Sequence, residues 1–209
     1  MKIYDISEPI SAETAVFPGD TPFSAEWVMR MADGDSCNVS TMRMSVHLGT
    51  HTDSPLHYKD DDVDIASTDL EAYIGRCRVL DVRGEGSPSL VPAGSVSAEV
   101  LEGVQRVLLR TSEIHDHTVF DEGFTALGPA AAAAAVKAGL RLVGIDTPSM
   151  DHAASKELEA HKILRNGKVA LLENLDLTGV PEGDYELIAL PLRIHGSDSS
   201  PVRAILREL

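Results

Sequence analysis

The sequence predicts an α/β domain built on a mixed, partly antiparallel sheet with flanking helices, and three patterns support that class. Residues 24 to 31 and a segment starting near Val39 are strand-like and flank Asp33-Gly34-Asp35, which points to an antiparallel hairpin. Residues 104 to 110 and 140 to 145 are compact apolar runs on either side of an alanine-rich stretch, a strand, helix, strand succession of the kind that sets parallel strands side by side. Between them in character is the run from Thr41 to Leu48, where apolar Met42, Met44, Val46 and Leu48 alternate with polar Thr41, Arg43, Ser45 and His47, the period of a half-buried strand.

Taken in order, residues 2 to 6 alternate and stop before Pro9, which predicts a short strand and then a turn into Phe17-Pro18-Gly19-Asp20-Thr21-Pro22. Two prolines stiffen that loop, which reads either as a substrate-pocket wall presenting Phe17 or as a turn beside the core. Residues 59 to 64 are acid-rich but lack the spaced glycine and terminal glutamate of a calcium loop, so they read as a solvated loop. A helical turn is predicted over 68 to 74, a strand over 76 to 82, and a loop rich in Gly, Ser and Pro over 84 to 94. In the alanine-rich helix, Pro129 occupies the tolerated first turn and Gly139 is the stop. His115 and His117, in the short polar segment 113 to 117, read as part of a mobile loop over a pocket rather than as metal ligands.

Asp146 follows the strand 140 to 145 at its C-terminal end, where α/β sheets place functional groups, and either orients a ligand or caps the turn. A helix is expected over 155 to 166, carrying His161 and ending at Gly167, followed by a strand over 168 to 172 that leads into Glu173. Two more apolar strands, 185 to 190 and 202 to 206, complete the sheet. The polar loop 193 to 200 between them faces substrate or a neighbouring subunit.

At 209 residues with 43% hydrophobic content and no shift in composition, the whole chain, 1–209, reads as one domain with a sizeable core. A formal net charge of −15, with 33 acids against 18 lysines and arginines, disfavours nucleic acid and anionic membrane as partners. The lone cysteines Cys37 and Cys77 form no Cys-x-x-Cys pair, which fits free thiols in a reducing cytoplasm. No apolar leader core opens the chain, and no run of 18 apolar residues occurs in it, so neither export nor membrane spanning is expected.

The densest chemistry lies between His47 and His57. Four metal-capable groups, His47, His51, Asp53 and His57, fall within eleven residues, all at odd positions, so an extended backbone aims them one way, with bends at Gly49 and Pro55. A helix would turn Asp53 about 200° from His51 and would have to tolerate Gly-Thr and Ser-Pro in its interior. Imidazole nitrogen with carboxylate oxygen suits a borderline divalent ion, Zn2+ first, with Mn2+ or iron as alternatives, and three protein ligands leave a position open to water. A chance cluster of surface histidines is the plain alternative, which the density of groups on one face argues against. His161 and Glu173 are the remaining candidates. Asn166-Gly167 turns the chain back, and Glu173, flanked by Leu171, Leu172 and Leu175, is costly to bury unless paired or metal-bound.

The pattern His47-x-Gly49-Thr50-His51-x-Asp53-x-Pro55-x-His57 resembles the signature of the cyclase family of metal-dependent hydrolases. The likeness to the kynurenine formamidase (arylformamidase) branch of that family extends over nearly the whole chain. It takes in Asp5-Ile6-Ser7, Pro18-Gly19-Asp20-Thr21-Pro22, the segment 144 to 149, Glu173-Asn174, and the segments 183 to 191 and 200 to 204. The resemblance implies a swivelling β/β/α-like fold, a homodimer, and conversion of N-formyl-L-kynurenine or a related aryl amide to the free arylamine and formate, a step of tryptophan degradation. It implies further that His47, His51 and Asp53 hold a first zinc, and that Asp53 and Glu173 bridge to a second completed by His161. His57 is then the general acid/base, and Phe17, where the family usually has Trp, contacts the aryl ring. The alternative within the family is a hydrolase of cyclic amides or lactones, similar to isatin hydrolase. The alternative outside enzymes is a metal-binding scaffold without turnover.

Overall fold

Buried apolar strands lie at the centre of the architecture. The structure, a computed structural model, describes residues 1–84 and 89–209. In chain order the strands are β1 (Ile3–Asp5), β2 (Ser24–Met29), β3 (Val39–Arg43), β4 (His51–Asp53), β5 (Ile74–Asp81) and β6 (Arg106–Arg110), then helix α1 (Gly128–Lys137) and β7 (Leu142–Ile145). Helix α2 (Glu159–Asn166) follows, then β8 (Ala170–Leu172), β9 (Gly183–Ile188), β10 (Ser199–Pro201) and β11 (Ile205–Glu208). Seven of these make a sheet in the order β1-β11-β9-β5-β6-β7-β8. Its first three pairings are antiparallel and its last three parallel, so it is the mixed sheet that the hairpin and crossover patterns predict.

Both faces of the parallel half are covered, which is why its strands read as near-continuous apolar runs. Val107, Leu109, Val143, Ile145 and Leu171 pack with Ala131, Ala132 and Ala135 of α1 and Leu164 of α2. The alternate residues Leu108, Leu142 and Leu172 join Ile6, Leu187 and Leu206 on the other face. Pro129 lies in the first turn of α1, and Gly139, at φ +76°, follows its end. Among the described residues, no helix is long and apolar enough to cross a membrane.

Four local expectations are corrected. The strand read over 41 to 48 is cut short, since β3 stops at Arg43; the bends expected at Gly49 and Pro55 are present, Gly49 at φ +70° and Pro55 opening a 3-10 turn over Pro55–Tyr58 that carries His57, and between them only His51 to Asp53 is extended. Nor is β3 half-buried. It pairs only with β2 in a two-stranded ribbon, so alternation has no core to face and Met42 is 65% exposed. The helix expected over 155 to 166 begins only at Glu159, because Leu158 adopts φ 48°, outside helical space. The strand expected over 202 to 206 is divided: β10 pairs with β4, whereas β11 joins the main sheet, and 202 to 204 is the passage between them. Within the loop predicted over 84 to 94, residues 85–88 lie outside the described residues, and Ala93–Val96 forms a 3-10 turn.

Candidate metal centre

Strand β4 is held on both sides by segments distant in the chain. Ser199 and Pro201 of β10 pair with Asp53 and His51, and His51 makes an isolated antiparallel bridge with Glu173, just past the end of β8. With their carbon β atoms two residues apart on one strand face, His51 and Asp53 project into the same space. Helix α2 adds His161 from the other side. Its first turn is capped by the carboxylate of Asp151, which accepts the N–H groups of Ala160 (3.0 Å) and His161 (3.1 Å) and also contacts His161 Nδ1 at 2.7 Å.

The side chains converge on Asp53, which is 4% exposed. Its Oδ1 lies 3.0 Å from His47 Nδ1 and 3.6 Å from His51 Nε2, and its Oδ2 lies 3.8 Å from both His57 Nε2 and His161 Nε2. Glu173 is 3.2 Å from His51 Nε2 through Oε2 and 3.2 Å from His161 Nε2 through Oε1, which also accepts the Met150 N–H at 2.6 Å. Two triads, His47/Asp53/His57 and His51/Asp53/Glu173, each keep their ligand-capable atoms within 4.8 Å of one another. All six polar residues singled out from the sequence are thus in one place. His57 and His161 are equally near Asp53, and exposure separates them, with the His57 side chain 30% exposed and that of His161 3%.

The donor set fits a cation. Asp53 Oδ1 is buried and makes no hydrogen bond among the described residues, with His47 Nδ1 3.0 Å away as an ion-pair neighbour, and such an orphaned acceptor costs about 1–3 kcal/mol. A divalent ion bound by imidazole nitrogen and carboxylate oxygen would satisfy it. The remote nitrogen of each buried imidazole is also held, His51 Nδ1 by the Gly49 carbonyl at 2.9 Å and His161 Nδ1 by Asp151, as in metal sites where an outer partner aims the ring. In the metal-free protein, protons take the balancing role. Burial opposes charge on His47, but Asp198 and then Asp53 outweigh it and raise the ring to about 10. Burial likewise opposes charge on His161, and Asp151 and Glu173 raise it to about 10. Burial pushes Asp53 up, yet the surrounding imidazoles, His47 foremost, hold it well below the usual carboxylate range.

A cavity of about 810 Å³ opens over the cluster. Phe17 lies on its wall in edge-to-face contact with Phe120, ring centroids 5.2 Å apart, and Phe124 continues the aromatic surface at 6.4 Å. His115 and His117 also border it, apart from the Asp53 cluster, and His115 Nε2 pairs with Glu8. Asp146 caps the turn: its carboxylate accepts the N–H groups of Thr111 and Ser112 as well as both hydroxyls. Two residues escaped the sequence reading, Asp151 and Asp198. Asp151 carries no local signal because it caps a helix several residues away, whereas Asp198 belongs to the polar loop already singled out as facing substrate or a subunit.

A family model described as "Putative cyclase" matches residues 4–152. The chain belongs to the Cyclase family. This Cyclase-family chain is 43% identical over 208 residues to the kynurenine formamidase of Delftia acidovorans (strain DSM 14801 / SPH-1), covering 100% of the chain and 98% of that protein. A solved structure titled as a potential metal-dependent hydrolase with cyclase activity superposes with a TM-score of 0.81 at 26% identity, covering 98% of this chain and 96% of the other. An isatin hydrolase bound to the product analogue thioisatinate superposes at 0.82 over 98% of this chain and 91% of its own, and at 22% identity that likeness speaks for the fold.

Proposed function

We propose that this Cyclase-family member is a zinc-dependent arylformamidase that hydrolyses N-formyl-L-kynurenine to L-kynurenine and formate. The observation that carries the reading is the convergence of His47, His51, His161 and Glu173 on Asp53, whose buried Oδ1 lacks a donor, at the base of an aromatic-walled cavity. Whole-length likeness to the Delftia formamidase supports the choice of substrate.

In this reading His47, His51 and Asp53 would hold one zinc, and Asp53, Glu173 and His161 would provide the ligands for a second. Bound zinc supplies Lewis acidity, acidifying water toward a pKa of about 7 and polarising the formyl carbonyl. The chain's own groups do the rest. Asp53 and Glu173 fix the site's charge and geometry, with Glu173 Oε1 itself held by the Met150 N–H. His57, the most open of the four rings around Asp53, takes a proton from water as its oxygen joins the formyl carbon, and returns one to the aniline nitrogen as the C–N bond breaks. Phe17 and Phe120 offer the aryl ring an edge-to-face wall.

A homodimer in a reducing cytoplasm belongs to the same proposal. The β2–β3 ribbon leaves Trp27 and Met42 exposed on one face, and a two-stranded ribbon gains stability when such a face is covered, here by a second copy. Cys37 and Cys77 are free thiols.

The test is formate release from N-formyl-L-kynurenine by zinc-loaded protein, run beside isatin ring opening. Formate release that falls about 10²–10⁴-fold in kcat in His57→Ala, with zinc content retained, is the expected result. Isatin opening without formate release would transfer the assignment to cyclic amides, and zinc binding with neither turnover would leave a scaffold.

A further inference from the structure

We infer that Asp198 is a positioning residue that aims two rings of the site at once, His47 and His57. This rests on the reading of His47 as a metal ligand and His57 as the proton carrier.

A single oxygen does both tasks. Asp198 Oδ2 lies 2.8 Å from His47 Nε2 and 3.0 Å from His57 Nδ1, and a carboxylate oxygen has lone pairs for two donors. The two rings are neighbours, their centroids 4.3 Å apart. When His57 donates from Nδ1 to Asp198, its Nε2 carries the lone pair and faces Asp53 Oδ2, the orientation a proton carrier beside the site requires. When His47 donates from Nε2 to the same oxygen, its Nδ1 lone pair faces Asp53 Oδ1, and both point at the space a cation would fill. Loss of Asp198 frees both rings to turn and to take the other tautomer.

The carboxylate is placed by backbone, not by chance on a loose loop. The Asp198 carbonyl accepts the Ser54 N–H at 2.8 Å and the Ser54 hydroxyl at 3.1 Å, and the next residue, Ser199, pairs with Asp53 across β10 and β4. The segment that carries the outer partner is therefore zipped to the strand that carries the candidate ligands. His51 and His161 have separate outer partners, Gly49 and Asp151, whereas Asp198 is an outer partner shared by a candidate ligand ring and the ring assigned proton transfer. Its side chain is 40% exposed, so truncation opens no core cavity.

The test compares wild type with Asp198→Ala and Asp198→Asn by zinc titration, steady-state kinetics on N-formyl-L-kynurenine and 15N NMR of the imidazoles. Asp198→Ala is expected to weaken zinc binding about 10–100-fold, lower kcat more than it raises KM, and turn the His57 nitrogen signals from one tautomer into a mixture. Asp198→Asn keeps an oxygen acceptor and is expected to restore much of the tautomer signature and part of kcat. Wild-type zinc affinity and an unchanged His57 tautomer in Asp198→Ala would overturn the inference while the functional reading stands. Wild-type protein that binds no zinc would overturn both.

Discussion

His51 and Glu173 face each other across an isolated bridge in which each backbone N–H donates to the other's carbonyl, at 3.2 and 3.1 Å, while Nε2 and Oε2 meet at 3.2 Å. Their separation is set by main chain and not by rotamer choice, so the two side chains are presented together before any ligand arrives. Substitution of either side chain therefore leaves the bridge that holds the strands in place.

Glu173→Gln is accordingly expected to fold normally and to lose metal. The amide keeps the shape and the Met150 N–H as donor but removes the charge that faces two imidazoles. Bound zinc measured by mass spectrometry should fall, and kcat with it by about 100-fold or more, since even outer partners cost 10–100-fold. Wild-type stoichiometry and kcat would remove Glu173 from the centre.

Zinc affinity should rise with pH. His47 and His161, raised to about 10 from an ordinary 6.5, are protonated at neutral pH in the metal-free protein, so the ion must displace their protons. For stability without metal the sign is opposite: the contribution of these rings is complete below pH 6.5 and is lost as pH rises through about 10. Zinc should thus widen its lead in Tm from pH 6.5 upward. Calorimetry in two buffers of different ionisation enthalpy checks the proton release, and its absence at neutral pH would contradict the protonated cluster.

Gly144→Ala is expected to destabilise the fold without touching the site. A methyl there would come within 2.5 Å of Leu108 Cδ2 and 2.7 Å of Leu175 Cδ1, both in fully buried residues. Overpacking of this kind costs about 1–3 kcal/mol, readable as a lower denaturation midpoint with an unchanged m-value.

Phe17→Ala should act mainly on substrate binding. Removing the edge-to-face partner of Phe120 from the cavity wall forfeits about 0.5–1.5 kcal/mol of aromatic contact, or about 2- to 12-fold in KM for an aryl substrate. A short aliphatic formamide should show a smaller change, and equal losses on both substrates would place Phe17 outside the ring's contacts.

The candidate ligands were legible in the sequence because they are written in residue type: the close run His47 to His57 and an acid among leucines at Glu173 stand out whatever the backbone does. The strands β6 and β7 and the helix between them were legible too, since burial on both faces leaves an unbroken apolar record. Periodicity misled at β3, where alternation met no core, and at residues 44 to 48, which turn where a strand was expected. By itself, then, the sequence determined which side chains can bind a cation and which strands form the covered half of the sheet. Only the tertiary structure decided that β10 lies against β4, that Glu173 bridges to His51, and that Asp198 reaches His47 and His57. The first two join segments far apart in the chain through backbone groups that residues of any type carry, and the third depends on where that pairing sets a side chain, so none leaves a mark in local composition.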